Sequence, residues 1–131
     1  MKNKDILKNN PRIIVIQKLY AHELNKDSEL TFPKHRYKKF IKDIVLGTLE
    51  RKELIEETIQ KYLGKDLNKK RTEKLLIVLL YASIFELLYR QQTSINVIIN
   101  EYLNTSEFFL GLNQKKYLNA ILDKISKKIR A

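Results

Sequence analysis

Two histidines, His22 and His35, and no cysteine leave this sequence little with which to make or break bonds. The missing cysteines exclude a thiol nucleophile, a thiolate metal cluster and a disulfide framework, and two isolated imidazoles are too few for a histidine-rich metal site. His22 sits beside Glu23 with no nucleophile near it in sequence, and Ser83 lies inside the most apolar run of the chain. Neither a glycine-rich phosphate loop, a dinucleotide fingerprint nor a metalloprotease histidine pair is present. The 15 acidic residues show no spacing that singles out a carboxylate couple. A binding protein, with no cofactor, is the class these residues point to.

Polar residues in apolar surroundings are more informative. Asn100 and Glu101 interrupt SINVIINEYLNTSEFF, and Glu86 interrupts LLIVLLYASIFELLY. Each is either the wet side or edge of an amphipathic helix or a feature that a partner reads, and the residues alone leave both open. Charge is the second signal. Lys and Arg number 26, giving a formal net charge of +11, which steers a chain of this size toward a polyanion, nucleic acid above all. Compositional drift toward A·T-rich codons is the bland alternative.

The elements that must carry these residues are helical. Only 3 Gly and 2 Pro punctuate 131 residues, so long regular elements with few tight turns are expected. Asn10 and Pro11 form an N-cap and first-turn pair opening a helix whose stripe is Ile13, Ile16, Tyr20 and Leu24. Lys2, Lys4 and Lys8 precede it and Arg12 occupies its first turn, where positive charge opposes the helix dipole. A loop is expected over 25–32. A second helix follows over about 37–49 with Phe40, Ile41, Ile44, Val45 and Thr48 inward, its front crowded by Lys34, Arg36, Lys38, Lys39 and Lys42. A third, over 52–63, presents Leu54, Ile55, Thr58, Ile59 and Tyr62 and ends at Gly64 as a C-cap. The run 75–89 is too short to span a bilayer and reads as a buried core helix. Thr93 or Ser94 caps a fifth helix, and a sixth begins near Asn113 with Leu118, Ile121, Leu122, Ile125 and Ile129 inward. No internal repeat or linker divides the chain. One domain over 1–131 is expected, with residues 1–10 as a basic arm and a cytoplasmic location, because the basic start lacks a signal-type apolar core.

Four segments, RIIVIQKLY (12–20), LLYASIFELLYR (79–90), VIINEYL (97–103) and KYLNAILDKI (116–125), together resemble the bacterial transcription antitermination factor family NusB, in that family's order and at its usual distances. The resemblance runs from about Arg12 to Lys128 and is weakest between 25 and 68. It implies an all-α compact domain of about six to seven helices in two packed bundles. It also implies an adaptor that binds boxA-type single-stranded RNA together with the ribosomal protein NusE. Such an adaptor supports transcription of ribosomal RNA operons by the elongating polymerase complex, and later subunit maturation. No membrane is involved, and a homodimer in the free state is left open. Carried over residue by residue, the resemblance assigns RNA contacts to the N-terminal basic cluster (Lys2, Lys4, Lys8, Arg12) and to Lys116, Tyr117, Asn119, Asp123 and Lys124. Tyr117 would stack on an unpaired base, Asn119 would hydrogen-bond, and the lysines would meet phosphates. It assigns partner contacts to Glu86, Asn100 and Glu101, a small acidic surface suited to a basic ribosomal protein. The chain departs from the family at Asn9, Asn10 and Pro11, where arginines are usual, at Tyr81 for arginine, at Thr93 for proline and at Ala120 for glycine. A NusB-like domain of the kind attached to ribosomal RNA methyltransferases is one alternative, though 131 residues leave no room for a cofactor-binding sheet; a scaffolding protein that binds no RNA is another.

Overall fold

The computed structural model describes residues 9–64, 67–68 and 72–130. They form six helices: α1 (Pro11–Leu24), α2 (Lys38–Glu50), α3 (Lys52–Leu63), α4 (Lys74–Tyr89), α5 (Ile95–Phe109) and α6 (Leu112–Ile129). Local chemistry sets several of the boundaries. The Asn10 side chain accepts a hydrogen bond from the Arg12 amide at 3.1 Å, and Pro11 follows where no intrahelical donor is needed. Of the two expected caps of α5, Ser94 is the one used: its Oγ accepts from the Val97 amide at 3.2 Å. Gly64 does end α3, but at φ −54°, in the ordinary right-handed region, so its freedom to adopt positive φ is unused.

α4 organises the packing. It touches all five other helices, with α1 and α2 forming one three-helix group around it and α5 and α6 another. That position explains its composition, because residues Leu76 to Leu87 are buried on every face and no wet stripe remains. Each large aliphatic side chain so enclosed contributes roughly 1.5–3 kcal/mol of transfer free energy. α2 approaches α4 closely at Gly47. A Cβ there would fall within 3.0 Å of the Phe85 ring, so the contact depends on the missing side chain.

Several inward assignments differ from the expected stripes. Leu24, the last residue of α1, is 62% exposed. Ile14, Val15 and Leu19 are buried as well, since α1 lies against α2, α4 and α5 and needs more than one apolar face. On α3, Ile55, Ile59 and Leu63 form the buried side, whereas Leu54 is exposed and Thr58 and Tyr62 lie at the boundary. Thr58 turns its hydroxyl back to the Leu54 carbonyl at 2.8 Å. A helix that contacts its neighbours along one narrow seam buries a narrower stripe than its sequence offers.

Candidate nucleic-acid and partner interface

The first turn of α1 delivers Arg12 into a buried node. Its Nε and Nη2 donate to Glu86 Oε2 and Oε1 at 2.9 and 2.7 Å, a bidentate pairing that matches the planar guanidinium to the carboxylate. The Tyr102 hydroxyl of α5 donates to Glu86 Oε2 as well. The Glu86 side chain is 0% exposed and that of Arg12 only 11%. Burial alone would lower the pKa of Arg12, but the hydrogen bonds to Glu86 and the charges of Glu86 and Glu101 outweigh it and hold the guanidinium charged. Burial, reinforced by the Glu86 charge, pushes the Tyr102 hydroxyl well above its ordinary value, so it remains a donor.

Two sequence expectations are therefore corrected. Glu86 does not lie on an exposed acidic surface: a carboxylate one turn from the end of α4 is enclosed once α1 and α5 close over it, and it is satisfied internally. Arg12 is not a free phosphate-binding cation, because its fork is occupied by Glu86 and its face lies 4.9 Å from the Phe40 ring centroid and 5.5 Å from that of Tyr102. Of the acidic pair on α5, Asn100 is exposed and Glu101 is 43% exposed, its Oε2 lying 3.8 Å from Arg12 Nη1. Glu101 thus meets both solvent and the buried node. The pair is on the wet side of its helix and also at the rim of a charged cluster.

Lys116, Tyr117, Asn119, Asp123 and Lys124 all lie on the exposed side of α6, opposite its buried Leu118, Ile121, Leu122 and Ile125. Tyr117 is 38% exposed. Asp123 pairs with Lys127 at 3.2 Å, one turn along. The strip is long, cationic and carries one aromatic ring, a surface able to neutralise phosphates and stack on a base. Ala120, also exposed, adds little bulk to it. Lys2, Lys4 and Lys8 lie outside the described residues.

One residue that matters was not singled out from sequence. Arg130, just past α6, donates from Nε to the Leu87 carbonyl at 2.8 Å, from Nη1 to Thr93 at 2.5 Å, and from Nη2 to Arg90 and Glu86 at 3.0 and 3.2 Å. These carbonyls belong to the end of α4 and the following turn; those of Glu86 and Arg90 also accept the amides of Arg90 and Thr93, and that of Leu87 also accepts Gln91 Nε2, so Arg130 fills their second acceptor positions. The signal was weak: a terminal arginine resembles any other charge until α4 is seen to end beside it. The Arg90 guanidinium in turn lies 5.2 Å from the centroid of the Phe40 ring. Through these contacts the starts of α1 and α2 and the ends of α4 and α6 gather at one pole.

Among the described residues there is no group of three or more His, Cys, Asp or Glu side chains that could hold a metal, and no helix is long and apolar enough to cross a membrane. A family model described as "NusB family" matches residues 9–127. A transcription antitermination protein NusB from Coxiella burnetii is 30% identical over 120 residues, covering 92% of this chain and 79% of that protein. One from Mesorhizobium japonicum is 26% identical over 84% of this chain and 71% of its own length. The match to the Bartonella quintana protein, 30% identical, covers 66% of this chain and only 56% of that relative. Among solved structures, T. maritima NusB superposes with a TM-score of 0.77 over 91% of each chain, at 25% identity. Sequence match and helix arrangement agree along almost all of the described residues, and the chain belongs to the NusB family.

Proposed function

We propose that this protein is a transcription antitermination adaptor that binds boxA-type single-stranded RNA together with NusE, supporting ribosomal RNA transcription and subunit maturation. The NusB family consists of RNA-binding adaptors without a catalytic step, and the relatives above are named as transcription antitermination proteins. The observation that carries the reading is the exposed strip of α6, where Lys116, Tyr117, Asn119, Asp123 and Lys124 occupy the positions that the family resemblance assigns to RNA. A chain of net charge +11 adds a long-range field toward the phosphates, and Lys2, Lys4 and Lys8 extend it.

Asn100 and Glu101 are the partner-facing pair in this reading. Exposed acid on a strongly basic molecule repels RNA and attracts a basic protein, so it separates the two ligands on the surface. Glu86 serves the same interface from inside, by fixing Arg12 beneath Glu101.

The test is a titration of labelled boxA-type RNA and a scrambled RNA of equal length, at matched salt, with and without NusE. Tighter and sequence-selective binding in the presence of NusE is the expected result, and Glu101→Lys should remove the NusE enhancement without changing the fold. Equal binding of both RNAs, indifferent to NusE, would refute the adaptor reading.

A further inference from the structure

The front of α2 carries a second charged surface that the adaptor reading does not use. Lys34, Arg36, Lys38, Lys39 and Lys42 are all exposed, and among the described residues none of them has a carboxylate within 4.0 Å. Asp43 shares the shallow depression formed by Lys38, Lys39 and Lys42. These charges do not help the helix. The first turn of α2 holds no acidic residue, Tyr37 at the N-cap makes no side-chain capping bond, and cations near a helix start oppose its dipole. A cluster that opposes the helix dipole and forms no ion pair among the described residues is explained by something outside the molecule.

Aromatic rings are interleaved with the cations. Tyr37 is 40% exposed, with the Arg36 guanidinium 5.1 Å from its ring centroid and the His35 ring at 5.8 Å. Lys42 lies 5.9 Å from the Phe32 ring. An exposed ring held beside a guanidinium is a stacking platform, and the surrounding ammonium groups stand where a flexible phosphate backbone would pass. An acidic peptide would use the charge but leave the ring without a purpose.

Position completes the case. Phe40, in the first turn of α2, packs between Arg12 of α1 and Arg90 at the end of α4, and Arg130 ties the end of α6 to the same place. The α2 cluster therefore lies at the pole where α1 begins and where α6 ends in Lys127 and Lys128. We infer that the surface formed by Lys34, Arg36, Tyr37, Lys38, Lys39 and Lys42 is a second single-stranded RNA contact, which takes the nucleotides flanking those bound by α6. The inference rests on the RNA-binding reading above and specifies a further stretch of the same ligand.

The experiment compares two RNAs bound to the full chain with NusE present: a short boxA-type strand and the same strand with an unstructured extension of about eight nucleotides at either end, within the footprint usual for such surfaces. The wild-type protein should bind one extended strand about fivefold or more tightly than the short one. Lys38→Gln/Lys39→Gln/Lys42→Gln should abolish that gain and reduce the salt slope of the extended complex by about 2, while leaving the short strand unaffected. Tyr37→Ala should remove part of the gain. All four positions are exposed, so thermal melts of both variants should match wild type. Short-strand binding with no gain from either extension, or a gain that survives in the triple variant, overturns the second contact while leaving the adaptor reading standing. Failure of wild type to bind either strand overturns both. Full competition by an acidic peptide, with Tyr37→Ala behaving as wild type, would mark a general anion surface and overturn the RNA assignment.

Discussion

Replacement of Arg12 by methionine tests whether the buried node or the RNA owns this side chain. Arg12→Met keeps much of the aliphatic stem but removes two charge-assisted hydrogen bonds, at 2.7 and 2.9 Å, from a carboxylate with no exposed surface. Glu86 would keep only the Tyr102 hydroxyl. Breaking one side of a buried ion pair costs about 3–5 kcal/mol, because the remaining charge is desolvated without compensation. Against a total stability of about 5–15 kcal/mol, that is a large share, and it corresponds to a fall in Tm on the order of 10–20 °C. The assay is urea unfolding of Arg12→Met, Glu86→Leu and the double variant. Removing both charges together should recover most of the loss, giving a coupling energy of about 2 kcal/mol or more. RNA affinity, measured at a temperature where the single variant is folded, should change little, and its salt slope should be unaltered. A loss below about 1 kcal/mol in the single variant, or strict additivity in the double, would refute the node as the purpose of Arg12. A marked drop in RNA affinity with stability intact would return Arg12 to the phosphate-binding surface.

Arg130→Ala should cost about 2–3 kcal/mol by removing its hydrogen bonds to the Glu86, Leu87, Arg90 and Thr93 carbonyls, and Arg130→Lys should restore only part of this because an ammonium lacks the planar fork; hydrogen exchange at the α4–α5 turn reads the local opening directly. Gly47→Ala should destabilise by about 1–3 kcal/mol, since the new methyl must displace the Phe85 ring that packs over α2, and chemical unfolding measures it. Alkaline stability has a definite sign. Burial, then the Glu86 charge, raises Tyr102 above its unfolded value near 10, and burial, then the hydrogen bond to Glu56, raises Tyr81 likewise. A raised folded pKa stabilises fully below the unfolded pKa and is lost as pH climbs from about 10 toward the folded value, so the urea midpoint should fall as pH rises above about 10. Tyr102→Phe and Tyr81→Phe should each make that fall shallower, and an unchanged slope in both would contradict the assignment.

Periodicity and caps made the helices legible from sequence. Asn10 with Pro11, Ser94, and the apolar stripes of α2 and α6 act within one or two turns, so the residues that specify them are neighbours in the chain. The long apolar run of α4, broken only by Ser83 and Glu86, already implied a buried core helix. The α6 strip was legible too, because exposure on a helix follows from the buried stripe opposite. The extent of burial was less accessible. Leu24 and Leu54 continue apolar stripes but are exposed, and Ile14 and Val15 widen one because α1 meets three neighbours.

By itself the sequence determined an all-helical chain, its capping residues, its excess of positive charge and the motifs that mark its family. Only the tertiary structure decided the fate of the charged residues. Arg12 and Glu86 are 74 positions apart, and Arg130 lies 37 to 44 positions from the carbonyls it caps. A side chain's charge is local, but whether that charge meets water, a phosphate or an opposite charge depends on which distant helix folds beside it. In a low-dielectric interior that choice of neighbour is worth several kcal/mol, so one glutamate became an internal anchor while Glu101, fifteen residues further on in sequence, remains partly open to solvent.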